Sequence, residues 1–299
     1  MKRTCTPPAH AWFAGTLALV LWMVALPAQA SPDAQLSPPV TQAQAKLYQS
    51  IIQARTRGCG GKPGLPGRLS PEPRLDRAAE RLGRGQDLKS ALSAEGYRSE
   101  GASVVGLRGY TGGSLAKGLS ERACGSLLDP AWRQVGVYQL GQASWVVLAA
   151  PFAPPLVQDM AQVRTEVLER VNLARTQARR CGSQSFGPAP ALELNSALHL
   201  ASELHAVDMA THGYLSHTGR DGSQAGQRAS RAGYNWQRVG ENLAAGQTTA
   251  AQAVQGWLDS PGHCANLMQP GFTQMGLAFA VNLQSPQGIY WAQVLGTPR

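Results

Sequence analysis

Charge is scarce in this chain: 15% of its 299 residues are Asp, Glu, Lys or Arg, against 43% hydrophobic. That balance excludes a chain held open by its own charge. Aromatic residues make up 6%, and none accompany the dispersed arginines as a stacking platform, so nucleic acid is not an expected partner. Long hydrophobic runs are missing too. The run Ala11–Leu26 has 16 residues, including Gly15 and Thr16, short of the ~20 that span a bilayer. Lys2 and Arg3 precede it and Ala28-Gln29-Ala30 follows, which predicts residues 1–30 to be a secretory signal peptide. No transmembrane segment is expected after cleavage. Cys5 leaves with the signal, and the four cysteines that remain enter a periplasmic or extracellular compartment where disulfides persist.

What is present comes twice. Leu47, Ile51, Ala54, Arg55 and Thr56 return 120 residues later as Val167, Val171, Ala174, Arg175 and Thr176. Leu75-Asp76 is set against Leu194-Asn195 at an offset of 119, and Gly96-Tyr97 against Gly233-Tyr234 at 137. Cys124, Leu127, Gln134 and Gly136 match Cys264, Leu267, Gln274 and Gly276 at 140, and Trp145 and Leu148 match Trp291 and Val294 at 146. Ordered matches with growing offsets describe one unit used twice, at residues 31–150 and 151–299. The step from 119 to 137 predicts 18 residues missing from the first copy, in the stretch where the second holds Ser216-His217-Thr218-Gly219. The repeat also selects among the three possible cysteine pairings. Each copy closes its own bridge, Cys59–Cys124 and Cys181–Cys264.

Helical spacing over 159–178, Asn195 as an N-cap and a hairpin of 275–282 with 289–295 predict helices around a small antiparallel sheet. The expected fold class is α+β, as tandem α-β-α sandwiches of which the first is degenerate. The formal charge is +9, yet residues 31–150 carry 15 bases against 9 acids and residues 151–299 carry 10 against 9. Basicity thus belongs to the first copy.

Chemistry belongs to the second. After the signal, His199, His205, His212, His217 and His263 all lie there. His199 is read as a solvated residue on the polar side of its helix, and His205 and His212 as structural. His217 lies in the loop that the first copy lacks. His263 follows Ser260-Pro261, which read as N-cap and first residue of a short helix, so the helix dipole favours a neutral ring. Ala123 stands in its place in the first copy. Glu241 follows Gly240, and the matching stretch 101–106 contains no acid. His217, Glu241 and His263 form a set able to hold Zn²⁺ or another divalent metal, to do acid–base work without metal, or simply to tie loops together. No nucleophile stands out.

The motifs Leu204-His205-Ala206-Val207-Asp208-Met209, Ser216-His217-Thr218-Gly219, Gly240-Glu241-Asn242-Leu243-Ala244, Ser260-Pro261-Gly262-His263 and Tyr290-Trp291 with Gln293 resemble the CAP superfamily, also called SCP-like, in its bacterial secreted form. The resemblance spans about 204–296 and implies an α-β-α sandwich with a His/Glu cleft that binds zinc in some members. His217 and Glu241 match that cleft. Tyr290 stands where the family has a second His, Asp259 or Ser260 is nearest to its second Glu, and His263 is expected to substitute in space, with His205 in support. Two functions follow. One is a binding module whose ligand is an envelope polymer, a lipid or a peptide; the other is a hydrolase of peptide or cell-wall bonds using His217 or Glu241.

Overall fold

The structure, a computed structural model, describes residues 42–67 and 69–299. The expected signal peptide lies outside them. The first half runs α1 (Gln42–Arg57), β1 (Gly58–Cys59), β2 (Lys62–Pro63), β3 (Ser70–Pro71), α2 (Pro73–Gly83), α3 (Leu88–Ala94), β4 (Ser99–Arg108), α4 (Leu115–Arg122), α5 (Cys124–Leu127), β5 (Gln134–Leu140) and β6 (Ala143–Pro151). The second half repeats that order as α6 (Met160–Arg175), β7 (Arg179–Cys181), β8 (Gln184–Phe186), β9 (Glu193–Leu194), α7 (Ser196–His212), α8 (Ala225–Arg231), β10 (Trp236–Ala245), α9 (Ala250–Asp259), α10 (Pro261–Met268), β11 (Gln274–Asn282) and β12 (Gly288–Pro298). Strand order is β3-β5-β6-β4 in one sheet and β9-β11-β12-β10 in the other, with the first pair parallel and the rest antiparallel in both. Everything from Lys46 to Arg299 forms one compact unit.

Each sheet is covered on both faces, and its central strand shows why. In β12, Ile289, Trp291 and Leu295 enter the core under α6, α9 and α10. The alternate residues Tyr290, Ala292 and Val294 pack beneath α7 and α8. The same alternation divides Val146 and Leu148 from Val147 and Ala149 in β6. A strand apolar on both faces is what burial on both sides requires, and Gln293 is the buried polar exception within 289–295. The α+β sandwich class expected from the sequence is the one found.

Two buried arginines mark the repeat more closely than any helix pattern. Arg55 donates to the carbonyls of Leu127, Asp129 and Trp132. Arg175 donates to those of Leu267, Gln269 and Phe272, each 140 residues further on. Both expected disulfides are present, Cys59–Cys124 and Cys181–Cys264.

One pairing moves. Glu72, rather than Asp76, caps α2, accepting from the Arg74 N–H, and it stands opposite Asn195, which accepts from Ala197 and Leu198. The sequence match follows Asx residues, whereas the fold follows a close approach. A Cβ on Gly136 would meet the Leu75 backbone at 2.1 Å, and one on Gly276 would meet Leu198 at 2.1 Å. Leu75 and Leu198 are therefore equivalent, and the first copy is shorter by 14 residues instead of 18. Part of that length is helix, since α2 has 11 residues and α7 has 17; the remainder is the loop 213–224.

Candidate functional site

Glu241 lies in the middle of β10, opposite Val294 of β12, and is not held by a turn. By the same register Val104, opposite Val147 as Glu241 is opposite Val294, takes its place in the first sheet. Gly240 serves packing: a Cβ there would meet the Phe272 ring at 2.7 Å. The Glu241 side chain is 3% exposed, and a buried carboxylate needs partners on both oxygens. Arg228 of α8 supplies one, Nη2 to Oε1 at 2.6 Å. His217 supplies the other, Nδ1 to Oε2 at 2.8 Å. Because a carboxylate only accepts, this contact puts a proton on Nδ1 and leaves Nε2 facing outward. The His217 side chain is 56% exposed, so the pair joins a buried anion to a surface ring.

Arg228 also ties the loop. It donates to the carbonyls of Ser223 at 2.6 Å and His217 at 3.0 Å. His205, buried on α7, donates from Nε2 to the Ser216 carbonyl at 2.9 Å. The backbone on both sides of His217 is thus anchored. The distinctive loop of the second copy is a fixed platform.

His263 reaches the same place from another direction. It sits in the first turn of α10, whose N-cap position is Ser260 and whose first residue is Pro261. Cys264, bridged to Cys181, follows it. Asn242 Nδ2 donates to the His263 carbonyl at 3.3 Å and to Gln293 Oε1 at 3.0 Å, while Asn266 Nδ2 donates to the Glu241 carbonyl and Asn242 Oδ1. These amides stitch α10 onto β10 beside Glu241. The His217 and His263 rings lie 6.4 Å apart at a 53° tilt.

The two rings are driven in opposite directions. The hydrogen bond to Glu241, supplemented by its charge, raises the His217 pKa above the usual imidazole value despite partial burial and Arg228. Burial lowers that of His263, with a smaller contribution from His217. Burial thus favours the neutral ring at His263, the form its place in the first turn of a helix also favours. His205 is also lowered by burial.

The remaining sequence assignments divide. Tyr290 is fully buried beneath α7, and its hydroxyl has no partner among the described residues. Asp259 ends α9, where Oδ1 accepts from Gln255 at 2.7 Å, and is not brought to the rings. His212 is capped locally by Asp208. His199 is not a solvated residue: Nδ1 donates to the Leu277 carbonyl at 2.6 Å and Nε2 receives Arg164. The polar side of α7 meets a carbonyl of β11 beyond its short pairing with β9, which helical periodicity alone does not reveal. Arg228, Asn242, Asn266 and Gln293 complete the site. Arg228 has the clearest missed signal, since a lone buried acid must find a cation.

Both Glu241 oxygens are spent on Arg228 and His217, and the guanidinium repels a cation there. Among the described residues no three His, Cys, Asp or Glu side chains are grouped to hold a metal ion. His217, Glu241 and His263 therefore do not fit a three-ligand centre, and no chemistry below is routed through one.

Residues 168–295 match the family model of CAP, the cysteine-rich secretory protein family. That segment contains every residue of the site. Two proteins of Bacillus subtilis are similar: YkwD, 26% identical over 102 residues covering 34% of this chain and 38% of that protein, and the membrane protein YlbC, 32% identical over 73 residues covering 24% and 21%. The chain thus spans well under half of either relative. Among solved structures, an extracellular protein containing an SCP domain from Bacillus anthracis is 21% identical with a TM-score of 0.39, covering 52% of each chain. Na-ASP-1 is 11% identical with a TM-score of 0.48, covering 89% of this chain and 92% of the other. Through its second sandwich this chain is a CAP superfamily protein.

Proposed function

We propose that the protein is a secreted binding module in which the surface around His217 and His263 receives an envelope polymer, and the first sandwich is a degenerate, basic companion without a site. The observation that carries this reading is the state of Glu241. A carboxylate buried between Arg228 and His217 has both oxygens engaged, with none free to take a proton from water. It orients His217 as a donor at a rigid surface. Secretion is supported by the N-terminal pattern and by four cysteines closed into two bridges. The charge of residues 31–150 suits an anionic polymer.

The hydrolase reading draws on one observation, the opposite shifts of two imidazoles 6.4 Å apart, since an acid and a base in one site need such a difference. Cosedimentation with insoluble peptidoglycan, run beside turnover assays on peptidoglycan and on casein with and without Zn²⁺, separates the two. The binding reading predicts saturable cosedimentation that His217→Ala weakens about tenfold or more, and no turnover. Turnover lost in His217→Ala would establish the hydrolase; cosedimentation unchanged in that variant would remove His217 from the binding surface.

A further inference from the structure

The first sandwich lacks the His217–Glu241–His263 set, yet its basic residues line a cleft of about 820 Å³ where it meets the β11–β12 turn of the second. A volume of this size lies in the range that holds small ligands. Three of the lining residues are cations, Arg74, Lys89 and Arg98, and none is an acid. Arg98 spans the junction. Its Nη2 donates to the carbonyls of Ser285 at 2.7 Å and Pro286 at 3.2 Å, and its guanidinium lies over the Phe152 ring, 5.2 Å from the centroid. Neutral partners of this kind fix a guanidinium in place without cancelling its charge.

The charges around the cleft do not balance. Arg74 is neutralised, since its Nε and Nη2 donate to the two oxygens of Glu72 at 2.8 Å and 3.2 Å. Lys89, in the first turn of α3, makes no ion pair among the described residues, and neither does Arg98. The acids nearest them in sequence are turned elsewhere: Asp87 accepts from the Ser90 N–H at 3.0 Å, and Glu100 accepts from Thr248 and Gln252. Two uncompensated cations therefore face one cleft, which attracts an anion. The rest of the lining is mixed. Ser99 and Gln284 offer polar side chains without hydrogen bonds among the described residues, beside the apolar Phe152 and Leu283. Amide-matching groups next to apolar surface suit a peptide better than a bare inorganic ion.

We propose that this cleft is a second subsite for the same envelope polymer and takes its acidic peptide, a proposal that rests on the binding-module reading above. Carboxylates of the peptide meet Lys89 and Arg98, its amides meet Ser99 and Gln284, and its small side chains lie against Phe152 and Leu283. Six residues of β12 separate Val294, opposite Glu241, from Gly288 at the end of the hairpin. At the rise of a strand that is about 20 Å, so the two subsites are distinct. A polymer that occupies both makes its second contact intramolecularly, and gains affinity that neither subsite has alone.

The probe is N-acetyl-L-alanyl-D-glutamate, an acidic dipeptide of the kind that begins a peptidoglycan stem, titrated into the purified protein and followed by NMR. Saturable shifts are expected at the backbone amides of Ser99 and Gln284, with the His217 ring unmoved. The uncharged diamide of the same dipeptide binds about tenfold more weakly or worse. Lys89→Glu reverses an exposed, unpaired charge, so the variant folds; it lowers dipeptide affinity about tenfold and weakens peptidoglycan cosedimentation. His217→Ala leaves dipeptide binding unchanged. Cosedimentation of the wild-type protein without any dipeptide shifts would overturn the cleft and spare the polymer reading, whereas dipeptide shifts without cosedimentation would remove the polymer reading and leave an acidic-peptide site. Diamide binding as tight as that of the dipeptide, undiminished affinity in Lys89→Glu, or tighter binding of tripolyphosphate than of the dipeptide would each overturn the proposal.

Discussion

At the scale of single residues, the site depends on one buried carboxylate. Glu241 would be untenable alone in a strand covered on both faces; Arg228 pairs with one of its oxygens and His217 with the other. The pKa of His217 is raised, so its protonated form is the one that the fold favours. By linkage, the stability it contributes is fully present below the unfolded imidazole value of about 6.5. It is lost as pH rises through the higher folded value. Titration of the His217 ring by NMR is expected to give a folded pKa above that of an unstructured peptide, and Glu241→Gln is expected to abolish the elevation. A midpoint unchanged in Glu241→Gln would mean that the contact with Glu241 does not control the ring.

At the scale of elements, the decisive contacts are where helices meet the sheet at glycine. α7 lies so close to β11 that a methyl group on Gly276 would meet the backbone of Leu198. Gly276→Ala is expected to cost at least about 2–3 kcal/mol in denaturant unfolding, by forced displacement of the helix. Ala at Gly262, where an added Cβ meets nothing within 4 Å, serves as the mild control. This same contact explains how far the sequence could be read. The helical spacing of 159–178, the Asn195 cap and the Ser260-Pro261 start are local, and each stands where local patterns put it. The true partner of Asn195 is Glu72, because the register of a helix on a sheet is set by close approach, which leaves no periodic trace. His199 shows the same limit: the carbonyl of Leu277 that receives its ring lies 78 residues away.

Legibility falls further where a residue acts through another. His217, Glu241 and His263 stand out by type and by their absence from the first copy, and the structure brings them together. Arg228 is one of many arginines in the sequence, and only burial against Glu241 sets it apart. Resemblance alone points to Asp259 and Tyr290, and the fold puts Asp259 on Gln255 at the end of α9 and buries Tyr290 beneath α7.

At the scale of the whole molecule, one architecture appears twice, with its own bridge and its own buried arginine in each sandwich, and the candidate site is built from residues of the second. Each bridge closes a long segment, with partners 65 and 83 residues apart, so cross-linking restricts the unfolded chain substantially. Replacing Cys59 and Cys124 by Ala is expected to lower the stability of the first sandwich by about 3–4 kcal/mol. Because the site lies in the other sandwich, the ring resonances of His217 and His263 in that variant are expected to stay where they are. Movement of those resonances would show that the first sandwich supports the site structurally instead of merely accompanying it.

The central claim is that His217 and His263 face a ligand from a rigid surface held by Glu241. The most direct measurement is the response of imidazole resonances in histidine-labelled protein to soluble peptidoglycan fragments. The account predicts saturable shifts at His217 and His263, with His199 and His212 unmoved. Shifts at His199 or His212 without any at His217 would contradict it and place the binding surface elsewhere.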